Sequence, residues 1–290
     1  MLEPKLIQIK TQDKLILPGL LFEAKKSQKI AIHLHGNGSS SVFYHDDIRP
    51  EKAEALVRNG ISFFQFNNRG ANYIKKLNSA RFGMAYEKIK ECIHDIEAVL
   101  GAFKRSGYKE FYLIGESTGA NKICVYDFYR TKNFVSKYVL LGGGDDVGIY
   151  YDLLKKKKFS RLLSEAKKKI RARKGAEIIL ELLPDIVFSY QGFYDIANPD
   201  GDYNIFPFYE VIRKVKLSKK PLFRHFKALK KSTLVVYGSE DKYNWGDTSR
   251  VVQILKEQRP DLDYNIIKGA DHSFSKHQIK LSKMIAKFLR

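Results

Sequence analysis

The sequence predicts an α/β fold: a mostly parallel central sheet flanked by helices and interrupted by one mainly helical insertion. Three observations carry this. Short runs that are apolar almost throughout, such as Lys29-Ile-Ala-Ile-His-Leu-His35 and Ile61-Ser-Phe-Phe-Gln-Phe66, suit strands buried on both faces. Segments with apolar residues at helical spacing alternate with these runs, the order expected of right-handed βαβ units. Residues 147–228 break the alternation and differ in composition. The core is therefore assigned to 1–146 and 229–290, and an inserted cap to 147–228.

Each element has its own local signal. Residues 5–10 and 15–23 are β-favouring runs on either side of Thr11-Gln-Asp13 and read as an opening hairpin. The strand at 29–35 closes at Gly36-Asn-Gly38, a short helix over 51–59 is stopped by Gly60, and the strand at 61–66 ends in Asn67-Asn-Arg-Gly70. Ile89, Cys92, Ile93, Ile96, Leu100 and Phe103 follow helical spacing, and Gly107 ends that segment. The strand Phe111-Tyr-Leu-Ile114 runs into Gly115-Glu-Ser-Thr-Gly119, then a helix to about Arg130 and the strand Tyr138-Val-Leu-Leu141. After the insertion come the strand Thr233-Leu-Val-Val-Tyr237, a helix at 247–257, a strand at 263–267 and a terminal helix. Leu281, Met284, Ile285 and Phe288 are the stripe of that last helix, with Ser275 and Gln278 as its expected capping box.

A chain of 290 residues can bury about three quarters of its unfolded surface. Its 44% hydrophobic and 29% charged residues exclude a mainly disordered, collagen-like or disulfide-scaffold protein. Cys92 and Cys124 are the two cysteines, both inside helical apolar patterns, and read as small buried hydrophobes in a reducing compartment. The first ten residues lack a charged leader followed by an apolar stretch, and no apolar run approaches 18 residues. The expectation is a cytoplasmic protein with no transmembrane segment.

Fifty-two Lys and Arg against 32 Asp and Glu leave a net charge of +20, which raises nucleic acid, anionic membrane and acidic substrates as partners. The excess is uneven: residues 151–174 hold eleven Lys or Arg and two acids. Such a run usually forms the solvated face of cap helices; the functional alternatives are contact with an anionic surface or attraction of an anionic substrate. Nucleic acid lacks any docking motif and is disfavoured. Residues 185–210 carry eight aromatics, and some of Phe188, Tyr190, Phe193, Phe206 and Phe208 are expected to line a substrate pocket.

The chemistry concentrates in three loops. Gly115-Glu-Ser-Thr-Gly119 follows a buried strand and opens a helix, the context of a nucleophile elbow that presents Ser117. Alone, the pattern is as often a plain Gly-rich turn. A serine hydroxyl is a weak nucleophile and needs an imidazole to take its proton and a carboxylate to orient that imidazole. Tyr237-Gly-Ser-Glu-Asp241 supplies Asp241 just past a buried strand, and Gly269-Ala-Asp-His-Ser-Phe274 supplies His272 after the last. The order Ser117, Asp241, His272 is the one such a sheet enzyme requires.

On these residues the chain resembles the α/β-hydrolases, over nearly the whole sheet from His35-Gly36 to the His272 loop. Asn67-Asn-Arg-Gly70 and Ser117-Thr-Gly-Ala-Asn-Lys122 are similar to a poorly characterised serine-containing group within them, first described as a domain of unknown function. The resemblance implies an oxyanion hole from the backbone N–H groups of Thr118 and Asn37, with Gly38 as the reserve for the second. Where the superfamily often has Asp-x-Arg-Gly-x-Gly-x-Ser, this chain has Asn67-Asn-Arg-Gly-Ala-Asn-Tyr73, which leaves that loop's role open.

Competing assignments are weaker. Asp145 and Asp146 follow the preceding strand, where some members of the superfamily carry the acid, and Glu240 is expected to be a spectator. His277 reads as a surface residue of the last helix, and His33 and His35 as packed or loop-shaping. Gly36-Asn-Gly-Ser-Ser-Ser41 resembles a dinucleotide fingerprint only in part, with Ser at its third position. With no C-x-x-C or H-E-x-x-H, neither a metal nor a cofactor is expected. The expectation is a serine hydrolase acting on a small-molecule acyl substrate, an ester first, with thioesters, amides and peptides open. The rival from another class is a non-catalytic ligand-binding protein on the same fold. The oligomeric state stays open.

Overall fold

The computed structural model describes residues 2–37, 41–44, 50–77 and 79–290. The opening hairpin is β1 (Lys5–Lys10) against β2 (Ile16–Phe22), antiparallel, with Lys5 opposite Leu21 and Lys10 opposite Ile16. Next come β3 (Lys29–Leu34), α1 (Pro50–Arg58) and β4 (Ser62–Phe66). Proline opens α1, where its missing N–H costs nothing. A small antiparallel hairpin, β5 (Lys75–Leu77) with β6 (Ala80–Phe82), precedes α2 (Cys92–Arg105). Its strands have three residues each, too few for a two-residue period to stand out in the sequence.

The chain continues through β7 (Glu110–Glu116), α3 (Thr118–Tyr129) and β8 (Val135–Leu141). The connection onward is helical: α4 (Asp146–Arg171), α5 (Tyr190–Ala197), α6 (Phe208–Ile212) and α7 (Arg224–Lys227). β9 (Ser232–Gly238), α8 (Thr248–Gln258), β10 (Asp263–Ile267) and α9 (Gln278–Leu289) complete it. Among the described residues the main sheet has eight strands, in the order β1-β2-β4-β3-β7-β8-β9-β10. It is parallel from β4 to β10, and β2 joins β4 antiparallel.

Alternate residues of the central strands feed two cores, as the two-residue period of a strand requires. Ile30, Ile32, Phe111 and Leu113 pack with α2, α3 and the β8–β9 connection, whereas Ala31, Tyr112 and Ile114 pack with α1 and α9. Burial on both faces explains why these runs are apolar throughout. α4 bends at Lys155, whose φ of 58° is left-handed, and Lys155 to Lys158 project from its exposed face.

One predicted boundary is corrected. Ser275 and Gln278 do not form a capping box: the cap residue of α9 is His277, and Phe274 turns left-handed at φ 55°. Ser275 N–H instead donates to Asp271 Oδ1 at 2.8 Å, and Gln278 Nε2 to Ser273 O at 2.7 Å. The strained turn behind His272 delays the helix by a few residues. His277 accordingly sits as the cap residue just before α9, partly exposed.

Candidate active site

Ser117 sits between β7 and α3 at φ 55°, ψ −124°, a backbone conformation that L-residues rarely adopt. Its N–H donates to Leu141 O of β8 at 2.8 Å and its carbonyl accepts from Ala120 N–H at 2.9 Å. The flanking glycines are dictated by contact. A Cβ on Gly115 would lie 2.4 Å from the carbonyl carbon of Gly119, and one on Gly119 would lie 2.1 Å from Leu34 O. The motif's small residues are therefore needed because α3 starts pressed against β3 and β7.

Asp241 and His272, from the loops after β9 and β10, meet: His272 Nδ1 lies 2.8 Å from Asp241 Oδ2. An ionised carboxylate only accepts, so Nδ1 carries the proton and Nε2 is left unprotonated in the neutral ring. Asp241 Oδ1 accepts Tyr243 N–H at 2.9 Å, which fixes the carboxylate, and the Tyr243 ring stands edge-on to the imidazole at 4.7 Å. The Asp241 side chain is 1% exposed and that of His272 17%, so the carboxylate is shielded while the imidazole reaches open space. Ser117 and His272 line one cavity of about 320 Å³, without a hydrogen bond between them among the described residues. Contacts of this kind commonly tighten only around substrate.

Of the two expected oxyanion donors, Asn37 lines the same cavity, and Thr118 is the first residue of α3, where backbone N–H groups have no intrahelical acceptor. Gly38, the reserve, lies outside the described residues. The loop is held by His35. Its Nδ1 donates to Gly36 O at 2.8 Å and its Nε2 accepts Asn68 N–H at 3.2 Å, a pattern that needs the neutral ring. Burial first, and the Lys122 charge second, bring this imidazole down to about 3.

The Asn67 loop thereby finds a role. Asn68 Oδ1 accepts both Gly70 N–H and Lys122 Nζ, the latter at 3.1 Å. Lys122, 1% exposed on α3, pairs with Glu87 at 2.6 Å, and Tyr203 O–H donates to the same carboxylate at 3.2 Å. Arg69 pairs with buried Asp95 at 2.8 Å. Sequence reasoning missed Glu87 and Asp95. The available signal was a lysine inside the apolar stretch of α3, since a buried ammonium needs an acid.

The competing acids lie elsewhere. Asp145 caps α4: Oδ1 accepts Gly148 N–H at 2.8 Å and Oδ2 accepts Tyr209 N–H at 2.6 Å. Burial raises its carboxyl to about 7. Asp146 faces the cavity and accepts from Asn121 Nδ2 at 2.9 Å. Glu240 is exposed. His33 lies 3.5 Å from Glu116, which also pairs with buried Lys52 at 3.4 Å.

The cavity wall differs from expectation. Phe188, Tyr190, Phe193, Phe206 and Phe208 do not line it; they are buried in the core with one another and with Phe159, Phe226 and Tyr237. Met84, Ile149, Tyr150 and Tyr243 form the wall instead. Among the described residues no group of three or more His, Cys, Asp or Glu could hold a metal ion, and no helix is long and apolar enough to cross a membrane.

Residues 25–277 match the family described as serine aminopeptidase, S33. No curated protein matches the sequence. Among solved structures, the chain is similar to the α/β hydrolase GrgF from Penicillium sp. sh18, at 15% identity over 99% of this chain and 98% of that one, with a TM-score of 0.66. Est1E from Butyrivibrio proteoclasticus with ferulic acid bound follows at 14% identity, 97% of both chains and 0.62. The esterase Pf2001 of Pyrococcus furiosus gives 18% identity, 99% of this chain, 91% of that one and 0.60. Identities this low establish the shared fold.

Proposed function

Because the chain belongs to the serine aminopeptidase S33 family of α/β-hydrolases, we propose that it is a serine hydrolase cleaving a carboxylic ester of a small molecule. Ser117 Oγ attacks the ester carbonyl while His272 Nε2 takes the hydroxyl proton, and Asp241 holds the ring and stabilises the imidazolium. The N–H groups of Thr118 and Asn37 receive the oxyanion, each worth about 3 kcal/mol because the charge develops only as the bond forms. The C–O bond to the alcohol breaks as His272 returns its proton to the leaving oxygen. Water, deprotonated by His272, then attacks the acyl-enzyme, the C–O bond to Ser117 breaks as His272 returns the proton to Oγ, and the acid leaves.

The observation that carries this reading is the pairing of buried Asp241 with His272, whose ring lines the same cavity as a serine held left-handed. The reading is tested by labelling with a fluorophosphonate probe and by hydrolysis of short p-nitrophenyl esters. Wild type should label at Ser117, and Ser117→Ala should neither label nor turn over. An unlabelled wild type, or a fully active Ser117→Ala, would sink it. The family description favours a second reading, aminopeptidase action, which predicts a higher kcat/KM on aminoacyl anilides than on the matching esters.

A further inference from the structure

The cavity around Ser117 carries a polar group that the proposed triad leaves unused. Asp146 opens α4, and Ile149 and Tyr150 follow it onto the same wall. The residue is 7% exposed, and Oδ2 accepts from Asn121 Nδ2 at 2.9 Å. Asn121 is otherwise consumed by Gly144, donating to its carbonyl at 2.9 Å and accepting its N–H at 3.2 Å. No Lys, Arg or His lies within ion-pair distance of Asp146 among the described residues. The Asp146 side chain lines the cavity, with its own backbone N–H and the more distant Lys122 charge as its further polar surroundings. A carboxyl this buried and outside ion-pair contact costs free energy unless something in the cavity hydrogen-bonds it.

Burial, and next the adjacent Asp145 carboxyl, push the Asp146 pKa well above the ordinary range. A shift in this direction favours the protonated carboxyl, which can donate an O–H to a group in the cavity that it lines. Tyr150 lines the same cavity, its ring packed edge-on to Phe188 at 5.5 Å.

We infer that Asp146 and Tyr150 determine specificity by hydrogen-bonding a hydroxyl or carbonyl oxygen that the substrate carries beyond its scissile carbonyl. This rests on the serine-hydrolase reading above. The enzyme then selects hydroxylated or oxo-substituted esters over plain alkyl esters, because an alkyl group would leave the Asp146 donor buried and unpaired. The same chemistry can sit on either side of the scissile bond.

The experiment measures kcat/KM for p-nitrophenyl butyrate against p-nitrophenyl 3-hydroxybutyrate, and for ethyl against 2-hydroxyethyl butyrate. Wild type should prefer the hydroxylated member of at least one pair by about tenfold or more. Asp146→Leu should abolish that preference, Tyr150→Phe should weaken it, and Asp146→Asn, which keeps an N–H donor and the shape, should retain most of it. The pair that shows the effect identifies the acyl or the alcohol side. Equal rates for both pairs in wild type overturn the inference, as does a preference that survives Asp146→Leu. A p-nitrophenyl 3-aminobutyrate preference lost in Asp146→Asn would also overturn it, since that requires an ionised carboxylate. Fluorophosphonate labelling separates the two levels: a labelled enzyme without the preference refutes only this inference, and an unlabelled one refutes the hydrolase reading.

Discussion

Around Ser117 the chain is fixed by backbone contact, whereas the connection between β8 and β9 is fixed by aromatic side chains. At the serine, Gly119 cannot gain a methyl without meeting Leu34 O at 2.1 Å, and the strained φ of 55° is held by hydrogen bonds to β8 and α3. In the connection, Phe193 touches Phe188, Phe159 and Tyr150 with ring centroids 6.4 to 6.5 Å apart. The first kind of constraint leaves a motif in the sequence because only certain residues fit. The second leaves composition, because many aromatic arrangements fill the same volume.

Three substitutions test whether that division of labour holds. Asp241→Asn should lower kcat by about 10⁴-fold with the fold intact, through loss of the orienting carboxylate. Asp145→Asn should instead lower Tm and cost less than about tenfold in kcat, since its oxygens hold Gly148 and Tyr209. A larger kcat loss at Asp145 would reverse the assignment. Next in size, Phe193→Ala should cost about 3–5 kcal/mol in denaturant unfolding, as a fully buried ring leaves a cavity. If stability held and KM rose, the aromatics would belong to the substrate wall after all.

Legibility follows the same line. The strand–helix alternation, the elbow and the loops of Asp241 and His272 could all be read, because burial on two faces and glycine at forced contacts restrict residue choice. The five aromatics at 188–208 misled, because an apolar side chain looks the same in sequence whether it lines a pocket or fills a core. The short hairpin β5–β6 left no trace, since strands of three residues, Lys75-Lys-Leu77 and Ala80-Arg-Phe82, are too short for a two-residue period to register. The pairs Lys122–Glu87 and Arg69–Asp95 were unreadable because their members are distant in sequence and are joined only by the packing of α3 and α2 around the Asn67 loop.

The smallest predicted effect lies where the β8–β9 connection meets α3. Asp202 accepts from Tyr129 O–H of α3 at 2.9 Å and lies 3.2 Å from His225 Nε2. Burial alone would raise its carboxyl, but hydrogen bonds from His225 and Tyr129 and the Arg224 charge outweigh it and hold the group at about 2. A carboxyl depressed on folding gives stability that is complete above its unfolded value near 4 and is lost as pH falls through about 2, because the unfolded chain then binds more protons. With partial exposure screening the pair, that contribution is about 1 kcal/mol. Asp202→Asn should therefore be less stable than wild type by a constant amount above pH 5, with the gap narrowing as pH falls toward 2.5. Asp145 provides the opposite slope: its carboxyl, raised to about 7, gives stability complete below pH 4 and lost as pH rises through 7. Denaturant unfolding of both variants across pH 2.5 to 8 separates the limbs. A gap at Asp202 that does not change with pH would mean that packing, not charge, joins the connection to α3.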